Sequence, residues 1–141
     1  MSVVRKKRVI VDTNCWISFL IGRRLGKLVT MLSDERIELV LCSELLEELL
    51  EVTQRPKFTR YFPLEEVESL LEFLRLRCSF FTPTENIKLC RDIEDDYLLN
   101  LAHVAKAHYL VTGDKDLLVL KRIERCKIVD VKEFEEVFRE K

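Results

Sequence analysis

Arg8-Val9-Ile10-Val11-Asp12-Thr13-Asn14 is the stretch from which the fold can be read. Its β-branched core has the composition of a strand that is buried on both faces of a sheet. The carboxylate that ends the run is followed by small polar residues, which are able to start a helix. In an open parallel sheet, ligands bind beyond the carboxyl ends of the strands, so Asp12 lies where such folds hold their chemistry. A turn or capping role explains a single aspartate equally well, so the interpretation depends on acids further along the chain.

The rest of the chain alternates between strand and helix patterns. After the strand at 8–12, apolar runs predict four more strands, at 38–42, 78–81, 109–112 and 127–130. Helical periodicity predicts helices at 14–32 with a break near 22–24, at 44–54, 64–77, up to about 107, at 115–122 and at 131–139. Such alternation implies right-handed βαβ units. We therefore predict an α/β fold, a three-layer α/β/α sandwich with a central parallel sheet of about five strands, as one domain over residues 1–141.

Composition limits the function classes. A formal net charge of −1 gives no overall basic field, so a site for nucleic acid has to be a local patch. The five cysteines are scattered and form no CxxC pair, which argues against a zinc site or a disulfide framework and favours reduced thiols. No apolar run approaches the ~20 residues of a membrane span, and no signal segment is recognisable. We expect a soluble, cytoplasmic protein without a membrane partner.

Acidic residues recur near the predicted strand ends. Asp12 follows the first strand, Glu48 lies in the helix after the second, and Asp114 follows the fourth. Asp92, Asp95 and Asp96 lie near the start of the helix before the fourth strand. Convergent carboxylates without His or Cys suit a hard cation such as Mg²⁺ or Mn²⁺, which supports phosphodiester hydrolysis. Helix-start aspartates also stabilise the helix dipole, and surface glutamates mostly solvate a helix, so spacing alone leaves both interpretations open.

Four motifs in order resemble the PIN-domain nucleases, and most closely the VapC-like toxin components of toxin–antitoxin systems. They are Val11-Asp12-Thr13-Asn14; Ser43-Glu44-Leu45-Leu46-Glu47-Glu48-Leu49 with Arg55-Pro56-Lys57-Phe58 behind it; Asp92-Ile93-Glu94-Asp95-Asp96; and Leu110-Val111-Thr112-Gly113-Asp114-Lys115-Asp116-Leu117-Leu118. The resemblance implies Mg²⁺- or Mn²⁺-dependent cleavage of single-stranded RNA, with an antitoxin protein as partner.

By position, the resemblance assigns catalysis and metal binding to Asp12, Glu48, Asp95 and Asp114. Asp96 or Asp92 is an alternative to Asp95, and Asp116 is an alternative or helper to Asp114. Thr13, Asn14 and Thr112 match the small polar residues that support the site. A non-catalytic PIN-like module that binds protein or RNA is the alternative function, although a degenerate module has little reason to keep all four acids. A phosphatase using Asp12 as nucleophile is disfavoured because position 14 is Asn rather than a second acid.

Three further groups of residues carry expectations. Two basic groups flank the acidic edge and either hold RNA phosphates or are solvated surface charges: Arg23, Arg24 and Lys27, and Arg55, Lys57 and Arg60. His103 and His108 are predicted to be surface or packing residues rather than ligands. The apolar helix at 64–74 and the aromatic residues at 58–62 exceed what a small core needs, so we expect a homodimer or antitoxin face there.

Overall fold

A computed structural model of the chain describes residues 6–61, 63–83 and 96–139. Its strands form one sheet in the order β3-β2-β1-β4-β6-β5, parallel except for the last pair. The strands are β1 (Lys7–Val11), β2 (Ile37–Leu41), β3 (Cys78–Phe80), β4 (Tyr109–Val111), β5 (Arg122–Ile123) and β6 (Cys126–Val129). All five predicted strands are present, and the predicted α/β fold class is confirmed.

Within the described residues, seven α-helices accompany the sheet. They are α1 (Thr13–Ile21), α2 (Leu25–Leu32), α3 (Ser43–Thr53), α4 (Leu64–Arg77), α5 (Asp96–Ala105), α6 (Lys115–Leu118) and α7 (Val131–Arg139), with a 3-10 helix at Pro56–Tyr61. The connections β1 to β2 and β2 to β3 step toward one side of the sheet, whereas β3 to β4 and β4 to β6 step toward the other. Right-handed crossovers in opposite directions place helices on opposite faces, which gives the predicted three layers.

The central strand β1 is buried on both faces, as its composition predicts. Val9 and Ile10 are fully buried and Val11 is nearly so. Trp16 and Leu20 of α1 are buried in the same core. Phe134 of α7 packs against Tyr109 of the neighbouring strand, with ring centroids 5.6 Å apart. A fully buried apolar side chain contributes about 1.5–3 kcal/mol, so the sheet centre is a rigid platform for its carboxyl edge.

The structure corrects two local predictions. The helix predicted over 115–122 ends at Leu118, and Arg122–Ile123 instead pairs antiparallel with β6. Lys121 adopts a φ of 62°, a left-handed conformation that no helix continues through. Helix α3 begins one residue earlier than predicted, because the Leu46 N–H already donates to the Cys42 carbonyl at 3.1 Å.

Strand register aligns the residues that follow the strands. Val11 of β1 pairs with Val111 of β4, and Val111 pairs with Val129 of β6. Consequently the next residue of each strand lies at the same edge, and the backbone confirms it: the Asp12 N–H donates to the Val111 carbonyl at 2.9 Å. Asp12, Thr112 and Asp130 thus follow neighbouring strands at one edge of the sheet.

No helix in the described part of the chain is long and apolar enough to cross a membrane. Cys15, Cys42, Cys78 and Cys126 are free thiols. Burial raises the pKa of the Cys15 thiol to about 12, with the charges of Asp12 and Asp130 adding to the effect. Cys90 lies outside the described residues.

Candidate active site

Asp12 is the most deeply buried of the site acids that the structure describes. It is the first residue after β1 and the N-cap of α1, and only 3% of its surface is exposed. One carboxylate oxygen accepts from the Asn14 N–H at 3.4 Å, and the other accepts from the Thr112 hydroxyl at 2.7 Å. The capping role that the sequence left open is therefore real. The helix cap occupies one carboxylate oxygen of Asp12, and the other oxygen faces Thr112 at the end of the neighbouring strand.

Thr112 connects Asp12 to the next acid along the edge. Its hydroxyl donates to Asp12 and accepts from the Asp114 N–H at 3.0 Å, so one buried side chain fixes both. The half-buried Asp114 caps α6 by accepting from the Asp116 N–H at 2.8 Å. Asp116 itself is exposed in the first turn of this helix. The supporting role predicted for Thr112 thus has a structural counterpart in these two contacts.

Glu48 reaches the site from the second turn of α3. Leu45 and Leu49 on either side of it are buried, whereas Glu51 is exposed and pairs with Arg55 at 2.9 Å, as the helical phase predicts. Glu48 is half-buried, and its carboxylate accepts from the Tyr97 hydroxyl at 3.1 Å. This hydrogen bond joins two helices through residues that lie 49 positions apart in sequence.

Tyr97 is the site residue that sequence analysis missed. Burial raises the pKa of its phenol, and the negative charge of Glu48 and the hydrogen bond to it act in the same direction. The hydroxyl therefore stays protonated and donates to the carboxylate at neutral pH. Only the position of Tyr97 at the start of a helix that follows an acidic segment could have indicated this role, and many tyrosines share that position.

Thr13 places a second polar group beside this pair. It is almost fully buried, and its hydroxyl oxygen has no hydrogen-bond partner within the described segments. It lies close enough to the Tyr97 hydroxyl to lower the pKa of Tyr97, against the larger effects of burial and of Glu48.

The electrostatics of Asp12 reflect convergent acids. Burial raises the pKa of Asp12, and the negative charges of Glu48 and Asp114 raise it further. The hydrogen bonds from Thr112 and Asn14 oppose this rise without cancelling it. A carboxylate that is disfavoured by burial and by like charges gains most from a nearby cation.

The donor set fits a hard divalent cation. Asp12, Glu48 and Asp114 offer carboxylate oxygens and Thr13 a hydroxyl, which are the ligand types of Mg²⁺ and Mn²⁺. Within residues 6–61, 63–83 and 96–139, however, no group of three or more His, Cys, Asp or Glu side chains is arranged so that it could hold a metal ion. Asp95, the fourth predicted ligand, lies outside the described residues together with Asp92. The ligand roles therefore stay predictions.

The two histidines make packing and surface contacts. His108 lies away from the site and accepts from the Arg8 N–H at 3.0 Å, and His103 contacts Glu124 on the surface at 2.6 Å. Asp96 is the first residue of α5.

Comparisons with known proteins agree with this architecture. A family model described as PIN domain matches residues 8–116. The chain therefore belongs to the PIN-domain family. It is also 31% identical over 119 residues to uncharacterized protein MJ1680 of Methanocaldococcus jannaschii, a match that covers 82% of this chain and 76% of that protein.

A solved structure with the same fold provides a further comparison. A chain in the crystal structure of VapBC2 from Rickettsia felis bound to a DNA fragment from their promoter superposes with a TM-score of 0.54. The match covers 86% of this chain and 96% of that chain at 16% sequence identity. At this identity the likeness supports the fold alone.

Proposed function

We propose that this protein is a metal-dependent endoribonuclease that cleaves single-stranded RNA through Mg²⁺ or Mn²⁺ held by Asp12, Glu48, Asp95 and Asp114. The observation that carries the proposal is the buried carboxylate of Asp12, whose pKa is raised by burial and by two further acids at the same sheet edge. Membership of the PIN-domain family supports nuclease chemistry at this edge.

The chain's own residues would set up the reaction. When bound, a divalent cation supplies an activated water and charge stabilisation for phosphodiester hydrolysis. Thr112 holds Asp12 and the start of α6 in a fixed relation through its two hydrogen bonds. Tyr97 orients Glu48 and remains a donor at neutral pH. Such outer contacts keep carboxylates in place and are each worth about 10- to 100-fold in metal affinity or activity.

We further propose that the nuclease is the toxin of a toxin–antitoxin pair in the cytoplasm. The support is the sequence resemblance to VapC-like toxins together with the fold shared with a chain of the VapBC2 complex. The four described cysteines are free thiols, three of them buried, which suits a reducing compartment. Co-expression and co-purification with the product of an adjacent reading frame tests this proposal. Growth arrest on induction that the neighbour relieves is the expected result, and unaffected growth would contradict it.

We also propose a homodimer through α4 and the adjoining edge strand. Leu70 and Leu74 of α4 are buried in the core, but Leu64, Leu76 and Phe80 are exposed by 70%, 65% and 55%. The aromatic side chains at 58, 61 and 62, which the sequence adds to this face, lie outside the described side chains. Light scattering should show a dimer that Leu76→Lys weakens, and a monomer at every workable concentration would refute the proposal.

Cleavage assays test the main proposal directly. The protein should cut a single-stranded RNA in Mg²⁺ or Mn²⁺, leave a duplex of the same sequence intact and lose activity in EDTA. A second measurement needs no turnover: Mn²⁺ at about 100 times its Kd should stabilise the fold by about 2.7 kcal/mol. Asp12→Asn should abolish both effects. A protein that binds RNA, cleaves none in any metal and melts at the same temperature with and without Mn²⁺ is instead a binding module.

A further inference from the structure

A groove of about 400 Å³ opens next to the acidic site. Asn14, Thr112 and Gly113 form its mouth, and it continues between α1 and α2 on one side and the start of α7 on the other. Two of these mouth residues touch Asp12 directly, since the Asn14 N–H and the Thr112 hydroxyl both donate to its carboxylate. The groove is therefore continuous with the candidate active site. Its volume is in the range of small-ligand pockets.

Arg24 and Phe19 give one wall of the groove a flat, cationic surface. The Arg24 guanidinium carbon lies over the Phe19 ring at 4.8 Å from its centroid, and Phe19 is otherwise buried. The inner face of the guanidinium thus packs on the Phe19 ring, while Arg24 as a whole is exposed to solvent. An arginine plane fixed in this way is a stacking platform for a nucleobase.

The backbone holds this platform in place at a cost. Arg23 adopts a φ of 55°, a left-handed conformation that favours glycine, and the Arg24 N–H donates to the Phe19 carbonyl at 2.8 Å. A Cβ on Gly22 would approach the Arg24 Nε to 3.3 Å, so the small residue leaves room for the arginine side chain. Strained backbone of this kind persists when the surrounding contacts over-determine it, and it clusters at binding sites.

Two lysines complete the charge pattern. Lys27 lines the groove opposite α7, and its 3.9 Å ion pair with Glu135 leaves its side chain 63% exposed. Lys132 lies in the first turn of α7. Asp130, the neighbouring acid, is engaged in a capping box, in which it accepts from the Glu133 N–H at 2.8 Å. The groove lining thus carries three cationic and two anionic side chains, which gives the groove a net positive charge next to the acidic site.

We propose that this groove is the subsite that binds the nucleotide next to the cleaved phosphate of a single-stranded RNA. A base stacks on the outer face of Arg24, and Lys27 and Lys132 contact the flanking phosphates. The inference rests on the proposed nuclease function and adds which surface recognises the substrate. This subsite would explain a preference for single-stranded RNA, because only an unpaired base offers a free face for stacking.

Binding without cleavage tests the groove separately from catalysis. The full chain carrying Asp12→Asn, in EDTA, is titrated into a fluorescein-labelled eight-nucleotide single-stranded RNA, and fluorescence anisotropy gives Kd. Adding Arg24→Ala should raise Kd about tenfold, in line with the loss of one stacked base. Arg24→Lys keeps the charge but not the plane and should recover little of the affinity. With an abasic strand of the same number of phosphates, Arg24→Ala should have a smaller effect.

Salt dependence reports the phosphate contacts. Adding Lys132→Ala to the same Asp12→Asn protein should lower the slope of log Kd against log salt by about 0.7, the value for one phosphate contact on a single strand. The matched control is Arg125→Ala. Arg125 precedes β6 and donates to the Lys106 carbonyl at 3.2 Å, so it lies at the opposite edge of the sheet from the groove. This control should leave both Kd and slope within error.

The outcomes separate the groove from the nuclease proposal. The groove assignment is overturned if Arg24→Ala changes Kd no more than Arg125→Ala does, or if the Asp12→Asn protein binds no RNA. If the wild-type chain cleaves RNA but Arg24→Ala leaves KM unchanged, only the groove assignment fails. If RNA binds through Arg24 but is never cleaved, only the nuclease proposal fails. Equal melting temperatures of the variants exclude misfolding as the cause.

Discussion

Replacing Asp12 by Asn should make the metal-free protein more stable and the enzyme inactive. Asn is nearly the same shape and caps helices as well as Asp does, so the start of α1 is preserved. The Thr112 hydroxyl loses a charged acceptor and keeps a neutral one, a loss of about 1 kcal/mol. Against this stands the removal of a buried charge beside Glu48 and Asp114.

The raised pKa of Asp12 shows that removing the buried charge has a larger effect on stability than weakening the hydrogen bond from Thr112. Because the folded protein raises this pKa above 3.8, burial and repulsion outweigh the hydrogen bonds to the carboxylate. Each unit of such a rise corresponds to 1.36 kcal/mol, or about 5 °C in Tm for a domain of this size. The stability that protonated Asp12 contributes is present below the unfolded pKa of 3.8 and is lost as pH rises through the folded value. The variant's advantage in stability should therefore be smallest at pH 4 and largest at neutral pH.

The assay is thermal melting in EDTA from pH 4 to 8, beside RNA cleavage in Mn²⁺. Cleavage should fall at least about 100-fold, which is about 2.7 kcal/mol of transition-state stabilisation. Asp34→Asn is the matched control, since the hydrogen bonds from Arg36 lower the pKa of Asp34 to about 2. That control should cleave normally and lose stability above pH 4, the opposite sign. An Asp12→Asn protein that melts about 4 °C lower and cleaves at the wild-type rate would refute the reasoning.

Three further predictions follow from single contacts. Tyr97→Phe should reduce RNA cleavage about tenfold with little change in Tm, because the hydroxyl orients Glu48 without carrying the fold, and equal rates would contradict this. Burial lowers the pKa of His108, which accepts from the Arg8 N–H through Nδ1, so its contribution to stability is complete above about pH 6.5 and is lost as pH falls. Urea unfolding at pH 5–7 should show a shallower pH slope in His108→Asn. The Cys15 thiol, with its pKa of about 12, should be alkylated at pH 8 only in denaturant, as peptide mapping can show.

Local patterns determined the elements of this fold. The β-branched run of β1 and the apolar stripes of α4 and α7 predict those elements to within about one residue. The strand is a continuous run because both of its faces are buried, and each helix shows the period that one buried face imposes. The position of Asp12 at a strand end follows from the same β-branched pattern. The short strand β5 was missed and the helix before it was predicted too long, since a two-residue strand is defined by its partner rather than by its own pattern.

The site itself depended on both levels. Sequence alone placed Asp12, Glu48 and Asp114 at strand ends and helix starts, where the carboxyl edge of a parallel sheet gathers them. Only the tertiary structure could show that Tyr97 donates to Glu48, or that Thr112 holds Asp12 from 100 residues away. The groove lined by Arg24 and Lys132 joins helices from opposite ends of the chain. Such pairings are set by strand register and helix packing, and those arise from contacts between distant residues that no local period encodes.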